Sequence, residues 1–76
     1  MERMEALNLV IREFQRATEN HGRFNSNHEG YAVIAEELDE LWDEVKKKGE
    51  VRDVDKLREE ACQVTAMGLR FMVDLT

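Results

Sequence analysis

The chain has 76 residues, a net charge of −6, one cysteine and no proline. A single domain of this length, 1–76, buries only about 60% of its unfolded surface and has no internal disulfide to reinforce it, so self-association is expected. The acidic balance, with a pI near 4.9, argues against a nucleic-acid backbone as ligand, which needs clustered Lys and Arg. No apolar run approaches the roughly 20 residues of a membrane span. The charged start Met1-Glu2-Arg3-Met4-Glu5 is unlike a signal peptide, and Cys62 suits a reducing compartment, so a cytoplasmic location is expected.

No stretch alternates in the manner of a strand, and the expected class is all-α. The first helix is predicted over Glu2–Glu19. Met4, Leu7, Val10, Ile11 and Phe14 recur at helical spacing and read as one buried stripe. Asn20-His21-Gly22 is a stop signal, with Gly22 as the residue after the last turn. Arg12 and Arg16 are long enough to reach a phosphate, although exposed arginines on a helix are commonplace. Ser26-Asn27-His28-Glu29 matches a capping box in which Glu29 reaches back to the Ser26 N–H. His28 is a candidate metal or phosphate ligand, and a first-turn histidine packing on the loop is the plainer reading.

The second helix is predicted over His28–Lys48, with Tyr31, Ile34, Leu38, Leu41 and Val45 as its core stripe. Six of the nine residues from Glu36 to Glu44 are acidic. Glu36, Glu37, Glu40 and Glu44 fall within an arc of about 100° on a helix, and Asp39 and Asp43 point to its solvent side. Like charges four residues apart disfavour an isolated helix. Such a row is either a solvated face or a seat for a hard cation. Lys46-Lys47-Lys48 complements the negative end of the helix dipole, which also explains it without a phosphate ligand.

Asp53 is the expected cap of a third helix, Val54–Leu75. Leu57, Ala61, Val64, Gly68, Phe71 and Met72 make one apolar stripe, and Cys62, Ala66, Leu69 and Val73 a second. One stripe is expected to pack on the second helix and the other on a partner subunit. Between them run Lys56, Glu60, Gln63, Met67, Arg70 and Asp74. Polar groups buried in the middle of so apolar a helix need partners. An antiparallel hairpin of the second and third helices sets Glu60 and Gln63 opposite Glu37, Glu40 and Glu44, as in helix-bundle carboxylate sites. This second polar cluster favours the cation reading.

Glu36-Glu37-Leu38-Asp39-Glu40, followed on the next helix by Glu60-Ala61-Cys62-Gln63, resembles the signature of the MazG-like all-α nucleoside triphosphate pyrophosphohydrolases. That signature is a paired Glu, two spacers and a Glu, then Glu, two spacers and Asp. Gln63 stands where the family has Asp. The resemblance spans roughly Glu29 to Asp74. It implies a three-helix subunit that completes a bundle as a homodimer or homotetramer. It also implies Mg²⁺ on Glu36, Glu37, Glu40, Glu60 and Gln63, and hydrolysis of a (d)NTP to the monophosphate and pyrophosphate. Glu37 or Glu40 would then orient or deprotonate the attacking water. The alternative is a non-catalytic helical interaction or nucleotide-binding module with a lapsed metal site.

Overall fold

The computed structural model describes Met1–Thr76 as α1 (Arg3–His21), α2 (Asn27–Val45), a 3₁₀ turn over Gly49–Val51 and α3 (Val54–Leu75), with no strand. Local chemistry sets most of the boundaries. The Glu2 carboxylate accepts from the N–H groups of Met4 and Glu5 and caps α1. Gly22 ends that helix at φ +70°, a backbone region that favours glycine, and its N–H donates to the Thr18 carbonyl. Ser26 Oγ accepts from the Glu29 N–H and caps α2. Glu29 reaches one residue further back than a capping box requires and accepts from the Asn25 N–H at 2.8 Å. Asp53 caps α3 by accepting from Asp55 and Lys56.

The end of α2 falls at Val45, short of the expected Lys48. The cause lies downstream. The Arg52 guanidinium donates to the carbonyls of Val45 and Lys47 at 2.9 and 2.8 Å, which satisfies acceptors that another helical turn would have used. Lys46 and Lys47 fold back onto Asp43 and Glu44.

Both α1 and α2 pack on α3 and not on one another, so α3 floors an open cleft between them. At Gly30, α2 comes close against α3. A Cβ there would stand 2.7 Å from Phe71 Cδ2 and 2.9 Å from Leu75 Cδ1. The core is Ala17, Phe24, Ala66 and Met67, with Val10, Val33, Ile34, Phe71 and Leu75 packed against it. The predicted polar strip of α3 turns inward. Along it, Met67 and Arg70 are buried, and the Asp74 side chain is only 5% exposed.

The lower half of this strip fastens the α1–α2 connection. Arg70 Nη2 donates to the Gly22 carbonyl at 2.7 Å, Nη1 to Met67 Sδ at 3.3 Å, and the guanidinium lies 4.2 Å from the centre of the Phe24 ring. Asp74 accepts from the Phe24 N–H at 3.0 Å and faces Arg23. Each of these contacts replaces water around a polar group that α3 would otherwise bury unpaired.

Three packing expectations change. The second apolar side of α3 packs in part on α1 of the same chain, while Val73 at its end stays exposed. On α1, the inner face carries Leu9, Val10, Glu13 and Ala17, while Met4, Leu7 and Ile11 are about half exposed. On α2, Gly30, Val33, Ile34, Glu37 and Leu41 face inward, whereas Tyr31, Leu38, Trp42 and Val45 are exposed. With Ala35, these four recur at alternating steps of four and three, the spacing of a coiled-coil seam. The radius of gyration, 13.1 Å, exceeds the roughly 11 Å expected of a packed domain of this length. Helices with two apolar faces, only one of them covered, produce that open shape.

Candidate metal centre

The upper half of the inward strip of α3 carries Glu60 and Gln63. Across from it, the helical phase that buries Val33, Ile34 and Leu41 also turns Glu37 towards α3, with Glu40 at the edge of the same face. One carboxylate oxygen from each of Glu37, Glu40 and Glu60 lies within 4.8 Å of the other two. Glu40 is exposed, and Glu37 and Glu60 are half-buried. Glu60 Oε2 is shielded from solvent and has no hydrogen-bond partner. A sequestered carboxylate oxygen without a donor costs free energy unless a proton or a cation sits on it.

The acid strengths follow from this crowding. Loss of water contact, followed by the charge of Glu40 and a hydrogen bond with it, pushes the Glu37 carboxyl up to about 7, and Glu60 and Glu36 add to the repulsion. Glu60 is raised for the same reasons, first by burial and then by Glu40 and Glu59, with Lys56 opposing. Lys56 itself reaches Glu59 at 3.4 Å. No basic side chain forms an ion pair with Glu37, Glu40 or Glu60. Two chemistries suit such a trio: it can retain a proton near neutrality, or it can hold a hard cation through oxygen ligands.

Of the five residues expected to bind metal, Glu37, Glu40 and Glu60 come together. Glu36 is exposed beside them. Gln63, one turn beyond Glu60, lines the cleft together with Glu37 and Glu13; this cleft has a volume near 300 Å³. Glu44 turns inward but is taken by Lys47 at 2.9 Å. Asp39 and Asp43 are exposed, as expected. His28 is exposed in the first turn of α2, and His21 lines the far end of the cleft.

Glu13 is the cleft residue that sequence reasoning missed. Its side chain is 14% exposed and bonds Arg16 on the same helix. Its signal was the 10, 13, 17 spacing with Val10 and Ala17, but the predicted stripe ran from Val10 to Met4, Leu7, Ile11 and Phe14 instead. The Cys62 thiol is raised by burial and then by Glu13, which disfavours the thiolate a nucleophile would need.

No family model, curated protein or solved structure matches this chain. No helix is long and apolar enough to cross a membrane. The class that fold and site define is therefore an all-α three-helix chain with a tri-glutamate cluster at a helix–helix junction, and its function has to be argued from that cluster.

Proposed function

We propose that the protein is a Mg²⁺-dependent nucleoside triphosphate pyrophosphohydrolase, converting a (d)NTP and water to the monophosphate and pyrophosphate. The observation that supports this most is the meeting of Glu37, Glu40 and Glu60 around an unpartnered Glu60 oxygen. These residues belong to both halves of the MazG-like pattern, which lie on different helices. The approach of Gly30 to Phe71 and Leu75, and of Glu37 and Glu40 to Glu60, supports reading α2 and α3 as an antiparallel hairpin.

The donor set fits the ion. Mg²⁺ takes oxygen ligands, and one carboxylate oxygen from each of the three residues lies within 4.8 Å of the other two. When bound, Mg²⁺ supplies charge neutralisation for the phosphates and for the departing pyrophosphate. Glu60 and Glu37 would hold the ion between the two helices. Glu40, exposed at the mouth, would orient the attacking water and accept its proton. Gln63 contributes a neutral carbonyl oxygen where the family pattern has a carboxylate, which lowers the charge of the site by one.

Self-association completes this reading. Tyr31, Leu38, Trp42 and Val45 form an exposed apolar seam on α2, and Met4, Leu7 and Ile11 form another on α1. A second copy covering either seam adds the core that this chain lacks and walls the cleft. A non-catalytic interaction module, or a nucleotide binder with a lapsed metal site, is the second reading; Gln63 and the same seams favour it. Incubation with each dNTP and Mg²⁺, with pyrophosphate as the readout, separates the two. The enzyme releases pyrophosphate and the Glu40→Gln variant does not. A module releases none in either form.

A further inference from the structure

The net charge of the chain sits on the stretch that carries the α2 seam. The chain has 17 acidic and 11 basic side chains. Six of the acids and none of the bases lie in residues 31–45, so this segment holds the whole −6 and the rest of the chain is neutral. Glu37 and Glu44 turn inward, with Glu40 at that edge. At about 100° per residue, Glu36, Asp39 and Asp43 follow the seam along its other side, away from α3. All three are exposed. Asp43 meets Lys46 at 3.0 Å, and Glu36 and Asp39 have no ion-pair partner.

Two features therefore coincide on one face. Tyr31, Leu38, Trp42 and Val45 form an uncovered apolar line of coiled-coil spacing. A row of unneutralised carboxylates runs beside it. Between them, Leu38, Asp39, Trp42 and Val45 line a shallow hollow of about 360 Å³. No helix of a second copy matches this face in charge. Another α2 would bring the same −6 against it. α1 is balanced, with three arginines and three glutamates. α3 carries four acids and three bases. The basic run Lys46-Lys47-Lys48 lies beyond α2, and Lys46 and Lys47 are already folded onto Asp43 and Glu44.

We propose that the α2 seam is the docking surface for an amphipathic helix of another protein, one whose apolar heptad line is edged with lysine or arginine. The apolar line supplies the contact area, and the charges along its edge select the partner and set its orientation. From Tyr31 to Val45 the seam runs about 21 Å at 1.5 Å per residue, so about four turns of partner helix cover it. Trp42, 57% exposed in the middle of the face, is its anchor. The α1 seam is left to a second copy. This surface lies on a different side of α2 from Glu37, and the proposal does not rest on the hydrolase reading.

Trp42 is the only tryptophan, so its fluorescence reports on this face. The probes are two tryptophan-free peptides of three heptads, with leucine at both core positions. One carries lysine at the flanking positions and the other glutamate. Titration is done in 0.15 M KCl, where exposed charges further apart than about 8 Å are screened. The lysine peptide is expected to shift Trp42 emission to the blue and to saturate, and the glutamate peptide to leave it unchanged. Asp39→Lys/Asp43→Lys is expected to bind the lysine peptide at least about tenfold more weakly. Glu5→Lys/Glu19→Lys makes the same change in net charge at exposed positions of α1 and is expected to bind as wild type does. Helical circular dichroism checks both variants, and the comparison of the two peptides on wild type needs neither. Equal binding of both peptides, binding of neither, or equal weakening in the two variants overturns the assignment. So does a red shift of Trp42 emission on dilution of the free protein, because a second copy then covers the seam.

Discussion

The tri-glutamate cluster predicts an unusual pH dependence of stability. In the folded chain the Glu37 carboxyl is raised to about 7 by burial and by Glu40; in the unfolded chain it ionises at its ordinary value. Between those values the folded state holds a proton that the unfolded state has released. The stability linked to Glu37 is therefore full below the ordinary carboxylate pKa and is lost as pH rises through about 7. A shift of this size in a dry site corresponds to about 3 kcal/mol. Glu40 is exposed, so water and salt screen the pair and about 1 kcal/mol remains. That is about 4–8 °C in Tm for a domain of this size. Glu60 is raised as well and acts in the same direction. The assay is thermal unfolding by circular dichroism from pH 5 to pH 8 in EDTA, comparing wild type with Glu37→Gln. The Tm of wild type should fall relative to the variant as pH rises. Mg²⁺ should reverse the fall, since it binds the ionised carboxylates, and should lose its effect near pH 5, where protons compete. A Tm difference independent of pH would refute the account of the cluster.

Other outcomes follow from the packing and the donor set. Arg70→Ala removes the donor to Gly22 and the cation over Phe24, and should cost about 2–3 kcal/mol in urea denaturation while leaving Mg²⁺ affinity near wild type. Gly68 has no heavy atom within 4 Å of an added Cβ, so Gly68→Ala should stabilise the chain by about 0.5–1 kcal/mol through helix propensity; a loss instead would mean that another copy packs there. Trp42→Glu places a charge in the exposed seam of α2 and should shift sedimentation towards the monomer if that seam is the self-association face. Gln63→Asp adds a carboxylate beside the trio and should tighten Mg²⁺ binding, read as a larger metal-induced rise in Tm.

Much of the local structure was legible because its causes are local. Gly22, Ser26 and Asp53 mark helix ends through contacts within a few residues, and all three act there. The polar strip through Glu60, Gln63 and Arg70 was legible as a line needing partners. Glu37, Glu40 and Glu60 were legible because the spacing on two helices fixes which carboxylates share a face. Less accessible was the choice between two apolar faces on one helix. Periodicity shows that Met4, Leu7, Val10, Ile11 and Phe14 align; it does not say that Leu9 and Ala17 will join Val10 inside while Met4, Leu7 and Ile11 stay half exposed. Glu13 was hidden by that choice. The early end of α2 depends on Arg52, several residues downstream, and no helix-end signal at Val45 announces it.

The account depends on one cation being shared by α2 and α3. Titration of Mn²⁺, as a paramagnetic stand-in for Mg²⁺, followed by electron paramagnetic resonance tests this most directly. Wild type should bind the ion with a carboxylate-dependent site that weakens at least about tenfold in Glu37→Gln and likewise in Glu60→Gln. Binding that is absent at millimolar Mn²⁺, or that both variants retain at full strength, would contradict it.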